Sequence, residues 1–152
     1  MFTNLLIGIA MMVVNLGIQV LAVAFVVRWF VKRIDSGRLR TTFGNDAMAL
    51  SVVMGVLITG HIFMFATWAL LFVSMGEFED FATAFYHSTV NFTSLGYGDI
   101  VMSEQHRLLG ALEAANGVLM FGLSAGAILS VMNGLFSRRK AFAALKHHVA
   151  DD

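Results

Sequence analysis

The string Thr93-Ser94-Leu95-Gly96-Tyr97-Gly98-Asp99 sets two glycines on either side of a tyrosine, between hydroxyl residues and a carboxylate. Glycine tolerates backbone conformations that a Cβ penalises, so this run can turn successive carbonyl oxygens toward one axis. Carbonyl oxygens gathered on an axis from several copies replace the water shell of a dehydrated cation. The chemistry implied is ion coordination, not bond making. Elsewhere no nucleophile–base pair or metal-ligand spacing stands out, and His147-His148 reads as a solvated or headgroup-contacting end. The chain is therefore expected not to be an enzyme. It has no cysteine, which excludes disulfides and thiolate–metal chemistry.

The elements around the string must hold it in hydrocarbon. The chain is 58% hydrophobic, with a mean hydropathy of +0.77. Residues 5–27, 48–74 and 108–135 are apolar runs, each long enough for the about 20 helical residues a bilayer crossing needs. The expected fold is an all-α membrane protein: an additional N-terminal helix (5–27), an outer helix (48–74) and an inner helix (108–135). A single membrane domain spans residues 1–152, with 136–152 as a cytoplasmic tail. Between the second and third runs, residues 81–93 lack Gly and Pro and are too few to cross. A short helix entering the membrane, followed by residues 94–99 returning outward, is the arrangement this order predicts. Non-helical backbone survives at membrane depth only where protein buries it or where it lines a watery path. The helix's C-terminal end would present partial negative charge to a cation.

Charge sets the orientation. Apart from Arg107, all Lys and Arg fall in two groups: Arg28, Lys32, Arg33, Arg38 and Arg40, and Arg138, Arg139, Lys140 and Lys146. Residues 75–107 carry Glu77, Glu79, Asp80, Asp99 and Glu104. The excess of basic residues on cytoplasmic loops puts 28–46 and the C-terminus inside, and 75–107 and the N-terminus outside. A cleaved signal peptide fits residues 1–27 poorly, because the basic leading stretch is missing and the apolar run is too long. No segment carries arginine at every third position, so an arginine-rich voltage sensor is not expected. Asn15 and Gln19 share a helical face with Gly8 and Met12, which predicts a protein partner for the first helix. Ser51, Gly55 and Thr59 predict a close helix–helix contact. His61 reads as a neutral packing histidine.

Together, the apolar runs, the short helix and Ser94-Leu95-Gly96-Tyr97-Gly98-Asp99 resemble the pore module of the potassium channel family, especially its simple bacterial members. The resemblance covers about residues 48–135 and leaves the first helix outside it. It implies a homotetramer of this chain with three identical subunits, surrounded by membrane lipids and with no nucleic acid. K+ ions would be coordinated by the carbonyls of Ser94, Leu95, Gly96 and Tyr97 and by the Ser94 hydroxyl. Gly98, Asp99, Tyr86, His87 and Glu113 would support this filter, Glu113 through Tyr86, His87 or Asp99 unless it faces a water-filled crevice. Family filters usually read Thr-Val-Gly-Tyr-Gly-Asp; Ser94 lacks threonine's β-methyl and Leu95 is not β-branched, so both rotamers are freer. Tyr86-His87 stands where an aromatic pair is usual.

The third run has no proline, so a bend must come from glycine, with Gly122 or Gly126 as the gating hinge or as a site of tight packing against the outer helix. The implied function is passive potassium conduction across the bacterial inner membrane. A weakly selective monovalent cation channel and a non-conducting membrane anchor or signalling module are the alternatives.

Overall fold

Apolar chain in hydrocarbon must satisfy its backbone internally, and helices are the simplest way to do so. The computed structural model describes residues 1–35 and 42–150, with side chains at 1–34 and 42–140. It contains four helices: α1 (Phe2–Asp35), α2 (Phe43–Ser74), α3 (Phe81–Phe92) and α4 (Arg107–Ala150). There is no strand among the described residues. α1, α2 and α4 are long and apolar enough to cross a membrane, each holding an 18-residue stretch with a mean hydropathy of 2.3, 2.0 and 1.8 in turn. α3, with 12 residues, is only about 18 Å long.

The helices run past the apolar stretches. α1 continues through Arg28, Lys32 and Arg33, α2 begins five residues before Met48, at Phe43, and α4 continues through 136–150 instead of ending at 135. Hydropathy marks where hydrocarbon ends, whereas Lys, Arg, Ala and Leu keep a helix going in water. Arg38 and Arg40 lie outside the described residues, and Lys146, His147 and His148 lie outside the described side chains.

Local chemistry sets the turn into α3. α2 ends where the N–H groups of Met75, Gly76 and Glu77 return to Leu71, Val73 and Phe72, with Gly76 at φ +74°, as a glycine-closed helix terminus requires. Asp80 then caps α3, accepting from the Thr83 N–H at 2.9 Å and from the Thr83 hydroxyl at 2.7 Å. Those bonds and the positive end of α3 favour the carboxylate, so the Asp80 pKa lies below its ordinary value.

One core cluster, built on Phe65, Trp68, Phe72, Phe78, Phe92, Leu109 and Met120, seats α3 between α2 and α4. A second, with Val26, Phe30, Val53, Leu57, Val131 and Leu135, joins the other ends of α1, α2 and α4. α1 packs along both α2 and α4 and buries Asn15 and Gln19 completely. The Ser51, Gly55 and Thr59 stripe does not meet a helix of the same chain: all three are exposed. The Thr59 hydroxyl turns back to the Gly55 carbonyl at 2.8 Å. The close contact falls one position over, where Gly60 faces the Ala22 Cβ.

Candidate functional site

Residues 94–98 alternate in backbone handedness. Ser94, Gly96 and Gly98 have φ of +58°, +58° and +75°, and Leu95 and Tyr97 do not have positive φ. Alternation of this kind rotates successive peptide planes so that their carbonyls emerge on one side. Glycine takes the left-handed conformation freely; for Ser94 it costs about 1–2 kcal/mol. The N–H groups are tied down behind: Ser94 to Asn91 at 2.9 Å, and Leu95 and Gly96 to the Val90 carbonyl at 3.0 and 3.3 Å. Among the described residues, no backbone hydrogen bond ends on a carbonyl of 94–98. The loop is thus anchored by its donors, and its acceptors are left over.

Behind the loop, the Tyr86 hydroxyl donates to Asp99 Oδ2 at 2.7 Å, and that bond holds the Asp99 carboxyl below its ordinary pKa. His87 is buried; its Nδ1 meets the Ile100 carbonyl at 3.1 Å and its ring packs on Phe72 and Phe78. A carbonyl partner assigns the proton to Nδ1, and Nε2 has no partner. Burial pushes the His87 pKa below the ordinary imidazole value. Tyr97 remains 68% exposed and Leu95 55% exposed. A cleft of about 430 Å³ lies beside the loop, lined by His87, Asn91, Gly96, Gly98 and Met102.

Glu113 is fully buried, and its partner differs from the expected ones. Its Oε2 accepts from Asn91 Nδ2 at 3.0 Å, whereas Tyr86 is engaged with Asp99 and His87 with Ile100. Asn91 and Ser88 sit one turn apart on the face of α3 toward α4, deeper than Tyr86, and this is the level Glu113 reaches. Asn91 Nδ2 also donates to the Gly110 carbonyl at 3.0 Å. One turn beyond Glu113, Gly117 lies against the Phe92 carbonyl, which a Cβ at 117 would overlap. Asn91 and Gly110 escaped the sequence reading, as did the contact that Gly117 makes with Phe92. Their signal was the spacing of Gly110, Glu113 and Gly117, which puts two glycines and a carboxylate on one face of α4. Gly122 and Gly126 have nothing within 4 Å of a would-be Cβ, so neither packs tightly on α2 within one chain. α4 passes through both without a break.

Polar ties fix the remaining elements. Gln19 Nε2 donates to Ser124 Oγ at 2.8 Å, and Ser124 Oγ is 3.3 Å from His61 Nε2, joining α1, α4 and α2. The Thr67 hydroxyl donates to Asn15 Oδ1 at 2.8 Å. Beyond the loop, Glu77 accepts from the Ser103 N–H at 2.9 Å, from the Ser103 hydroxyl at 2.6 Å and from His106. Burial raises the Glu77 pKa, but these donors outweigh it and leave the group below its ordinary value.

The ion channel family model matches residues 49–133, from early α2 to the second half of α4. The voltage-gated potassium channel Kch of Escherichia coli K12 is 29% identical over 105 residues, or 66% of this chain. The chain covers only 25% of that relative's length. No solved structure matches significantly.

Proposed function

This chain belongs to the ion channel family, and on that premise we propose that four copies form a potassium-selective pore in the bacterial inner membrane. The family makes the chain a channel and not an enzyme. The observation that carries the finer reading is the loop of alternating handedness whose first three N–H groups, at Ser94, Leu95 and Gly96, are anchored while its carbonyls accept no backbone hydrogen bond. α3 is the re-entrant pore helix, and residues 94–98 of four copies surround one axis. The carbonyls of Ser94, Leu95, Gly96 and Tyr97, with the Ser94 hydroxyl, replace water around K+, which passes as cargo and is not consumed. Gly98 completes the alternation. Asp99, Tyr86, His87 and Glu113 support the loop from behind.

The single chain also favours several copies. Tyr97 and Leu95 are large apolar side chains left mostly exposed, and neighbouring copies would cover them. Gly122 and Gly126, unpacked in an unbroken helix, are the places where α4 can bend. The basic clusters put the C-terminus in the cytoplasm and the N-terminus outside.

Potassium efflux from proteoliposomes containing only this protein, with a bi-ionic reversal potential against sodium, tests the reading. A strongly potassium-favouring reversal supports it. A reversal near zero with robust flux selects the weakly selective cation channel that the freer Ser94 and Leu95 rotamers would allow. Absence of flux from assembled tetramers overturns conduction.

A further inference from the structure

The inner end of the coordinating loop is set by one contact patch between α3 and α4. Its parts are a hydrogen bond from Asn91 to the buried Glu113 carboxylate at 3.0 Å, a second from the same amide nitrogen to the Gly110 carbonyl at 3.0 Å, and the seating of the Phe92 carbonyl on Gly117. Two hydrogen bonds from one amide fix its orientation as well as its distance. At Gly117 the absent Cβ lets backbone meet backbone, and the last carbonyl of α3 points at the Gly117 Cα. Phe92 is followed directly by Thr93 and Ser94, and the loop's own amides hang from Val90 and Asn91. A shift of α4 at Gly110, Glu113 or Gly117 therefore moves the residues from which the loop is suspended. On the far side, the loop rests on a tie of different character: the exposed Tyr86–Asp99 bond.

We propose that Asn91 and Gly117 are positioning residues that lock the entrance of the coordinating loop to α4, with Glu113 acting through Asn91, so that α4 and the loop move as one body. This rests on the reading of 94–98 as an ion filter. In it, bending of α4 beyond Gly117, at Gly122 or Gly126, leaves the loop undisturbed, whereas displacement above Gly117 changes coordination. The polar character of the patch follows. Glu113 is fully buried, and burying a carboxyl is costly even when it is paired, so an apolar contact would be the cheaper packing solution. A directional tie is what the polar pair adds.

The test uses full-length tetramers and reads the potassium-over-sodium permeability ratio of open channels, which a change in folding yield alone does not move. Glu113→Gln keeps an acceptor for Asn91 and is expected to hold the wild-type ratio. Asn91→Leu/Glu113→Leu removes both partners, leaves neither side of the bond orphaned, and is expected to assemble. The Asn91–Gly110 bond goes with it, so the ratio should fall by at least roughly two- to tenfold, the scale of one lost hydrogen bond. Gly117→Ala, which forces the Phe92 carbonyl away, should fall at least as far. A wild-type ratio in the double-leucine tetramers overturns the proposal, as does a Glu113→Gln ratio as low as theirs. Gly96→Ala separates the two levels. If it silences flux while the double-leucine ratio is unchanged, only the lock fails; if it conducts normally, the filter reading fails first.

Discussion

At Gly96 and Gly98 nothing lies within 4 Å of a would-be Cβ, yet φ is +58° and +75°. An alanine there meets no obstacle; its cost is conformational, about 1–2 kcal/mol per residue, and it falls on every copy at once. Gly96→Ala and Gly98→Ala are expected to insert and assemble normally but to lose potassium flux in proteoliposomes, because the chain relieves strain by turning a carbonyl off the axis. Histidine at 87 makes the opposite point. External acid is expected near neutrality for an ordinary imidazole, but burial against Phe72 and Phe78 lowers the His87 pKa. Current titrations of wild type and His87→Phe should therefore coincide between about pH 6.5 and 8, where an ordinary imidazole of pKa about 6.5 would still be titrating. Glu77, like Asp80 and Asp99, is an acid-sensitive group of residues 75–107. Its pKa is depressed, so its stabilisation is complete above the ordinary glutamate value of about 4.3 and disappears as pH falls through the lower folded value. Melting temperatures should show wild type converging on Glu77→Gln in that acid window and exceeding it at neutral pH.

Among the elements, α1 has no apolar advantage in choosing α2 and α4 over lipid; its specificity lies in Asn15, Gln19 and close contacts such as Gly8 against Leu112. Gln19→Ala would leave the buried Ser124 Oγ without the donor it accepts from, at roughly 1–3 kcal/mol. It is expected to lower the melting temperature of the assembled protein while leaving the reversal potential at its wild-type value. A shifted reversal potential would instead place α1 in the conduction path. α4 carries a second element-scale expectation. Alanine at Gly122 or Gly126 meets no neighbour and favours straight helix by about 1 kcal/mol. If α4 bends there on opening, either variant should lower open probability in bilayer recordings without altering unitary conductance.

At the scale of the whole molecule, a lone chain exposes Tyr97, Leu95, Val118, Leu119 and Phe121, and in the proposed assembly the carbonyls of 94–98 would be one quarter of a cage. Native mass measurements in detergent are expected to give a tetramer that carries all the flux activity. Conduction by a stable monomer or dimer would remove the geometric basis for the filter. If neighbouring copies of the proposed tetramer cover the Tyr86–Asp99 bond, which is exposed in one chain, Tyr86→Phe is expected to weaken that tetramer more than the fold of the single chain.

The sequence by itself determined what depends on neighbours along the chain. The glycine spacing at 96 and 98 and the three apolar stretches are local physics, legible residue by residue, whereas the Asp80 cap and the glycine-closed end of α2 were read only from the structure. The buried polar face of α1 was legible too, since Asn15 and Gln19 need partners in hydrocarbon wherever those partners come from. Only the tertiary structure decided who the partners are. Glu113 takes Asn91, 22 residues away, Gln19 takes Ser124, 105 away, and His61 is 63 away from that same serine. It also turned the Ser51, Gly55 and Thr59 stripe outward and continued α4 through 136–150. The reason is the solvent: in lipid an apolar face is equally at home against hydrocarbon or against another helix, so hydropathy sets the number and length of the spans but not their rotation. Rotation is set by a few hydrogen bonds and by the glycines that admit close backbone contact, and those contacts exist only once the helices are together.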